Sequence, residues 1–189
     1  MKDTPIITAA KMLAGEAHKG QTRKYSGLPY IIHPIEVATI VEEAGGTDDM
    51  IAAALLHDVI EDTDFTYEDI AEKVSPEVAD LVQGMTEASK PEDGNRKARK
   101  EIDRDFLAEQ APEVQTIKYA DVISNTKDIR VYDPKFAEVY VAEIKELLEV
   151  IDKGDPVFFY RSDRHQWLVI SDLPHYLKLI RSLTEDGKQ

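Results

Sequence analysis

Apolar residues recur three and four positions apart along most of this chain, which is the pattern of helices that bury one face. A first helix is predicted after Thr4 and Pro5, because threonine can cap a helix and proline is tolerated in its first turn. Pro34 is predicted to open a second helix, which the glycine pair 45–46 ends. Residues 18–33 are polar and rich in turn residues, so we interpret them as a loop.

The third predicted helix runs from about Asp49 through MIAAALLHDVIED and is apolar almost all round until its end. Such a helix should be central and buried. Thr66 and the pair Ser75-Pro76 predict the starts of two short helices, and residues 87–97 a charged loop. Three longer helices are predicted at about 98–110, 113–130 and 134–153.

The C-terminal part of the chain breaks the helical pattern. VFFY, RSDR and HQWLVI (157–170) indicate two β-rich runs joined by a polar turn, so a small hairpin is predicted, with a closing helix at about 174–183. We therefore expect an all-α helical bundle over residues 1–153. Residues 154–189 are expected to form a C-terminal extension, hairpin plus helix, packed on the same domain.

Composition narrows the classes of protein that fit this pattern. A chain of 189 residues with 42 % hydrophobic and 32 % charged residues is typical of one globular domain. It has no apolar run of the roughly 20 residues that cross a bilayer and no signal-peptide core, so a cytoplasmic protein without membrane contact is expected. The absence of cysteine excludes disulfides and thiolate metal sites. A net charge of −14 argues against nucleic-acid binding but permits a small anionic ligand at a local basic patch.

The densest group of ionisable residues is ALLHDVIEDT (54–63), at the end of the buried helix. Glu61 follows His57 by four residues and Asp62 follows Asp58 by four, so a continuous helix would stack each acid on one member of the His-Asp pair. Burying these groups without partners would be costly, so they should be solvated, paired or metal-bound. An isolated His-Asp pair is more often a helix end that simply faces water.

Other residues favour the metal-bound alternative. His33 precedes Pro34, which predicts an extended backbone there and a side chain that projects past the helix end. The segment IKYADVISNTKDI (117–129) carries one polar stripe on a helix with apolar flanks, formed by Lys118, Asp121, Asn125 and Asp128. His33, His57, Asp58 and Asp121 together offer two imidazoles and two carboxylates. This set suits a divalent first-row ion, and Mn²⁺, Fe²⁺, Co²⁺ and Zn²⁺ are all admissible.

Basic residues cluster in two places that could receive phosphate. Lys19, Arg23 and Lys24 lie in the glycine-containing loop before His33. The second cluster is either a solvated helix start or a phosphate-binding face, and it comprises Arg96, Lys97, Arg99 and Lys100. An arginine can fork onto phosphate or stack on a purine ring, which lysine does less well.

Three consecutive blocks, AHKGQTRKYSGLPYIIHPIEVA, ALLHDVIEDT and IKYADVISNTKDI, resemble the HD-type hydrolase domain of the RelA/SpoT family. The resemblance extends to its small stand-alone alarmone hydrolases of the metazoan SpoT-homologue type and covers about residues 9–130. It implies an all-α fold and hydrolysis of the 3′-pyrophosphate of (p)ppGpp to GDP or GTP and pyrophosphate. It also implies metal ligation by His33, His57, Asp58 and Asp121, with Mn²⁺ as the usual ion.

The resemblance implies roles for further residues as well. Glu61 and Asp62 would orient or activate the attacking water. Arg23 and Lys24 would contact the guanosine base and a nearby phosphate, and Asn125 the ribose or base. Lys97 and Lys118 are expected as further substrate contacts.

This sequence also departs from the family pattern. Val122 and Ser124 stand where a basic residue and an aromatic or histidine are common, and GMTEASK (84–90) matches the usual G-V-T-K segment only in part. These changes concern the nucleotide more than the metal. The alternatives are therefore hydrolysis of another nucleotide (ppApp, the 2′-phosphate of NADPH, a deoxynucleotide) or a catalytically idle alarmone sensor. Residues 131–189 carry no assigned motif and leave no room for an alarmone synthetase, and the oligomeric state stays open.

Overall fold

A computed structural model of the chain describes residue 1, residues 3–151 and two strands at 158–161 and 167–170. Nine α-helices follow one another in this described part: α1 (Pro5–Ala17), α2 (Ile32–Glu43), α3 (Asp48–Leu56), α4 (Val59–Asp62), α5 (Tyr67–Lys73), α6 (Pro76–Met85), α7 (Arg96–Ala108), α8 (Pro112–Tyr132) and α9 (Pro134–Ile151). A short 3₁₀ helix (Pro91–Asp93) precedes α7. None of the described helices is long and apolar enough to cross a membrane.

Two antiparallel strands, β1 (Phe158–Arg161) and β2 (Trp167–Ile170), follow the helices, with Phe158 opposite Ile170 and Arg161 opposite Trp167. The predicted all-α bundle with a small hairpin is thereby confirmed. The closing helix predicted at 174–183 lies outside the described residues. The division into residues 1–153 and 154–189 stays a prediction.

Local sequence signals explain where several helices begin. Thr47 caps α3 by accepting the backbone N–H of Met50 at 3.2 Å, and Thr66 forms a reciprocal capping box with Asp69. Ser75 caps α6 and is followed by Pro76 at the first helical position, as the sequence predicts. The C-terminal end of α2 is also marked in the sequence. The helix stops just before Gly45, which adopts a φ of 84° that glycine reaches without strain.

Helix α3 is the centre of the bundle, as its apolar sequence predicts. Every residue from Met50 to Leu56 is buried, and α1, α2, α6 and α8 pack around it. Helix α8 lies against α2, α6 and α9, so its middle runs beside the C-terminal end of α3. His57 and Asp58, which follow that end, therefore face α2 and α8, although α3 itself is apolar.

The expectation of one continuous helix through residues 49–62 is wrong. The helix stops at Leu56, turns through His57 and Asp58, and resumes as α4. The cause is local, because Nδ1 of His57 donates to the carbonyl of Ala54 at 2.9 Å. A continuous helix would use that carbonyl for the N–H of Asp58. The following turn is still helical, since the N–H of Asp62 reaches the carbonyl of Asp58 at 2.9 Å.

The expected extended backbone at His33 is also wrong, since His33 is the second residue of α2. Pro34 sits in the first turn, where its missing N–H is not needed. The N–H of His33 bonds the carbonyl of Tyr30 at 2.9 Å, so a tight turn leads directly into the helix. The bias that proline places on its preceding residue is overridden here by that turn and by burial of the His33 side chain, which is 2 % exposed.

Candidate metal centre and active site

Helices α2, α3 and α8 bring two imidazoles and two carboxylates together beside the bundle core. His33, His57 and Asp58 form a group whose ligand atoms could hold one metal ion. Nε2 of His33 lies 3.7 Å from Oδ2 of Asp58 and 3.1 Å from Oδ1 of Asp121, and Nε2 of His57 lies 3.0 Å and 3.7 Å from the same two oxygens. All four residues that the sequence selects as ligands thus converge on one point.

The donor set fits a divalent ion on its own chemistry. Nε2 of His57 is buried and faces the carboxylates of Asp58 and Asp121, while Nδ1 of the same ring donates to a backbone carbonyl. A carbonyl only accepts, so Nδ1 carries a proton and Nε2 is the atom left to bind a ligand. Imidazole nitrogen and carboxylate oxygen are donor atoms that Mn²⁺, Fe²⁺, Co²⁺ and Zn²⁺ all accept.

The charges within the metal-free cluster are strongly coupled. Burial opposes ionisation of both groups, yet the attraction between them raises the pKa of His57 well above its ordinary value and lowers that of Asp58 to about 2. Burial likewise opposes charge on Asp121, but Lys118 and the two imidazoles lower its pKa well below the ordinary range. The carboxylates therefore stay ionised and ready to bind a cation.

Asp121 connects the cluster to residues expected to bind substrate. Its Oδ2 lies 3.0 Å from Nζ of Lys118, and its Oδ1 accepts a hydrogen bond from Nδ2 of Asn125 at 2.6 Å. Oδ1 of Asn125 in turn accepts from Nη2 of Arg23 at 3.4 Å, while Nε of Arg23 pairs with Asp128 at 2.7 Å. The side chain of Arg23 is therefore held in place from one edge.

The acidic pair Glu61 and Asp62 lies on the exposed side of the cluster, at the end of α4. Both are open to solvent, but the protein packed around them partly desolvates their carboxyl groups and raises the pKa of each. Oε1 of Glu61 accepts the backbone N–H of Glu87 at 2.5 Å. Each carboxylate is therefore positioned, and each is more basic than a fully solvated acid.

A cleft of about 910 Å³ opens between α6, α7, α8 and α9 beside this cluster. Four of the predicted site residues line it, namely Lys97, Lys118, Asp121 and Asn125. Arg23 is connected to the cleft only through its hydrogen bond to Asn125. Lys24 is exposed, and its Nζ lies 5.2 Å from the centroid of the Tyr25 ring. A cleft of this size has room for a nucleotide.

Sequence reasoning missed Tyr30. Its hydroxyl donates to Oδ2 of Asp58 at 2.6 Å and lies 3.3 Å from Oδ2 of Asp62, so it bridges a candidate ligand and a candidate base. Burial and these charges raise the pKa of Tyr30, so the phenol stays protonated and donates. The signal available in the sequence was its place three residues before His33, at the end of the turn-rich loop.

Three further contacts were not predicted from the sequence. Nδ1 of His18 lies 2.8 Å from Oε1 of Gln21, whose Nε2 donates to the backbone carbonyl of Asp62 at 3.0 Å. This ties the loop that carries Arg23 to the end of α4. On α8, the fully buried Ser124 contacts His33, although the sequence marks Ser124 only as a departure from a family pattern.

Comparisons with known proteins show which family this sequence matches. The HD domain family matches residues 10–146. A guanosine-3′,5′-bis(diphosphate) 3′-pyrophosphohydrolase of Aquifex aeolicus is 31 % identical over 183 residues, which are 97 % of this chain and 26 % of that protein. The bifunctional (p)ppGpp synthase/hydrolase SpoT of Escherichia coli K12 is 39 % identical over 65 % of this chain and 18 % of its own length. The chain thus spans about a quarter or less of these curated relatives.

Among solved structures, a metazoan ortholog of SpoT that hydrolyses ppGpp superposes with a TM-score of 0.71 at 29 % identity. The match covers 80 % of this chain and 88 % of that one. A structure of lmo0812 from Listeria monocytogenes superposes with a TM-score of 0.60 at 25 % identity, over 86 % and 99 % of the two chains.

Proposed function

Since the chain belongs to the HD domain family, we propose that it is a metal-dependent pyrophosphohydrolase that removes the 3′-pyrophosphate of (p)ppGpp, giving GDP or GTP and pyrophosphate. The observation that carries the proposal is the convergence of His33, His57, Asp58 and Asp121 on one point beside an acidic pair. The named activities of the Aquifex, Escherichia and metazoan relatives supply the substrate class.

The four converging residues would hold the ion, which we propose to be Mn²⁺. When bound, such an ion lowers the pKa of a coordinated water and neutralises charge on the phosphate. Asp58 and Asp121 supply the negative charge that retains it, and the Nε2 atoms of His33 and His57 complete the donor set. Asp58 is further oriented by the hydroxyl of Tyr30 at 2.6 Å.

Glu61 and Asp62 are proposed to position the attacking water and accept its proton. Hydrolysis forms a bond from the water oxygen to the phosphorus attached at the 3′ oxygen and breaks the bond to that oxygen, which leaves as the ribose hydroxyl. A base for this step should be close to the reacting water and have a pKa nearer neutrality than a solvated acid. The partial desolvation of both carboxyl groups has that effect.

The cleft beside the cluster is the proposed nucleotide site. Lys118 reaches both the cluster and the cleft, so its charge can stabilise negative charge on the phosphate in the transition state. Lys97 lies on the cleft wall, and Asn125 is placed for the ribose or base. Arg23 and Lys24 are proposed on the base side, where Arg23 presents a largely buried guanidinium held by Asp128.

Two other functions use the same residues differently. Another nucleotide, such as ppApp or NADPH, could occupy the cleft, because Val122 and Glu87 stand on its lining at positions where the family pattern has basic residues. A catalytically idle alarmone sensor would need the basic contacts but not the acidic pair. The retention and positioning of Glu61 and Asp62 favour an enzyme over a sensor.

One experiment separates these functions. The Mn²⁺-loaded protein is incubated with ppGpp, ppApp, NADPH and a deoxynucleoside triphosphate, and the products are resolved by chromatography. We expect GDP and pyrophosphate from ppGpp. Glu61→Gln should abolish most of this turnover, and Glu68→Gln, an exposed acid on α5, serves as the matched control.

The outcomes of that assay are distinct. Faster turnover of ppApp, NADPH or the deoxynucleotide would replace the guanosine alarmone as substrate while keeping the metal chemistry. Binding of ppGpp without turnover of any nucleotide would establish the sensor instead.

A further inference from the structure

The imidazole of His33 is oriented by side chains, whereas that of His57 is oriented by the backbone. Nδ1 of His33 lies 2.9 Å from Oγ of Ser124, and this hydroxyl lies 3.0 Å from Oε2 of Glu36. Ser124 is fully buried and His33 is 2 % exposed, so water does not replace these partners. The three side chains come from α2 and α8, which pack against each other.

The chemistry of the three groups fixes the direction of these hydrogen bonds. An ionised carboxylate only accepts, so the hydroxyl of Ser124 must donate its single proton to Glu36. The oxygen of Ser124 then has only lone pairs to offer to His33, so Nδ1 of the ring must carry the proton. Nε2, which faces Asp58 and Asp121, is then the nitrogen that can give up its proton and bind a metal.

We propose that Ser124 and Glu36 are positioning residues that set the tautomer of His33 and thereby the metal affinity of the site. The inference rests on the metal centre proposed above and adds two residues outside the set that the sequence selects. It also gives Ser124 a purpose at a position where the sequence departs from the family pattern. His57 needs no such relay, because its Nδ1 donates to the carbonyl of Ala54.

The first test measures Mn²⁺ affinity from the electron paramagnetic resonance signal of free Mn²⁺. Ser124→Ala should weaken binding by about 10- to 100-fold, the loss typical when the partner of a metal-bound imidazole is removed. Glu36→Gln should weaken it less, since an amide can still accept through its oxygen. Thr126→Val is the matched control, because Thr126 is a buried hydroxyl on the same helix that donates only to the carbonyl of Val122.

A double-mutant cycle then tests whether Glu36 acts through Ser124. Glu36→Gln should have no further effect on Mn²⁺ affinity in the Ser124→Ala background. An equal effect of Glu36→Gln in both backgrounds would show that Glu36 acts on the metal site by its charge alone, and the relay would be wrong. Unchanged affinity in Ser124→Ala would be equally decisive against it.

The second test reads the tautomer directly in the metal-free protein. Nitrogen-15 NMR at alkaline pH, with the ring of His33 assigned by its loss in His33→Gln, should show the proton on Nδ1 in the wild type. In Ser124→Ala the proton should move towards Nε2, which then donates to Asp121. An Nδ1 without a proton in the wild type would overturn the inference. If the wild type binds no Mn²⁺, the proposed function fails on that ground, and the NMR result still decides the relay.

Discussion

Lys118 offers the sharpest test of how the metal and the protein share one set of charges. Its Nζ lies 3.0 Å from Oδ2 of Asp121, and its side chain is 30 % exposed while that of Asp121 is 7 % exposed. Burial opposes the charge on the lysine, but Asp121, Glu61 and Asp58 raise the pKa of Lys118 above its ordinary value. Lys118 is therefore charged at any working pH and partly balances the acidic cluster before a metal arrives.

The change Lys118→Met keeps the length of the side chain and removes its charge. Breaking a fully buried ion pair costs about 3–5 kcal/mol, because one charge is left uncompensated. Since Lys118 is partly exposed and Asp121 keeps the hydrogen bond from Asn125, we expect the metal-free protein to lose about 2 kcal/mol of unfolding free energy. In a chain of this size that loss lowers Tm by about 4–8 °C.

The metal should largely cancel this loss, because it supplies positive charge to the same carboxylates. If the loss in the Mn²⁺-saturated protein is about 0.5 kcal/mol, the difference of about 1.5 kcal/mol must appear as roughly tenfold tighter Mn²⁺ binding by Lys118→Met. Lys97→Met, which removes an exposed lysine of the same cleft, should change stability by less than about 0.5 kcal/mol.

Thermal unfolding with and without Mn²⁺ measures the stability of the wild type and of both variants. Mn²⁺ titration of the same proteins measures their affinity for the ion. An equal loss of Tm in the metal-free and metal-saturated forms would refute the reasoning. Weaker Mn²⁺ binding by Lys118→Met would do the same, since it would show that Lys118 supports the ligand geometry more than it competes with the ion.

Three further predictions concern the proposed roles of single residues. His57→Ala and Asp58→Ala should each lose bound metal and activity together while keeping the helical circular dichroism spectrum; elemental analysis showing wild-type metal content would contradict the assignment. Glu61→Gln and Asp62→Asn should keep the metal but lower kcat by about 10²-fold, as expected for a lost general base, so unchanged turnover in both would remove them from the chemistry. Arg23→Ala should raise KM more than it lowers kcat, and Arg23→Lys should not restore it if the guanidinium stacks on the base; rescue by lysine would indicate a phosphate contact.

The helices could be predicted from the sequence wherever local chemistry decides the structure. Thr66, Ser75 and the glycine pair 45–46 mark helix ends through caps and backbone freedom, and the structure has those ends. The prediction was wrong where a side-chain hydrogen bond or the burial of a side chain overrides such preferences. The break at His57 depends on a side chain that takes over the carbonyl of Ala54, and no helix propensity reports such a competition.

The candidate site shows the same division. His-Asp chemistry is visible in sequence because ionisable groups at the end of an apolar helix need partners, and the structure brings the four selected residues together. Tyr30, Ser124 and Glu36 were missed because their roles depend on distances between helices. Tyr30 and Asp58 are 28 positions apart, and Ser124 and His33 are 91 apart, so no local spacing connects them.

The basic cluster at the start of α7, for which the sequence left two interpretations, now has a physical account. Arg96 forms a two-pronged pair with Glu143 at 2.9 and 2.8 Å, and Lys100 pairs with Glu87 at 2.6 Å. A phosphate would have to displace these carboxylates, although surface pairs of this kind are individually weak. Within the described residues neither Lys97 nor Arg99 forms an ion pair, and of these two Lys97 lines the cleft and can meet a substrate there.

Attraction of an anionic nucleotide to a chain of net charge −14 therefore depends on a few charges close to the reacting phosphate. Lys118 lies beside Asp121, Arg23 is held between Asn125 and Asp128, and the ion would add its own charge at the cluster. Partly buried charges are screened less by salt than exposed ones. The positive charge is thus placed beside the cluster, while α7 is largely neutralised by its acidic neighbours. This arrangement favours recognition of a phosphate at the cluster over general attraction of polyanions, as the proposed function requires.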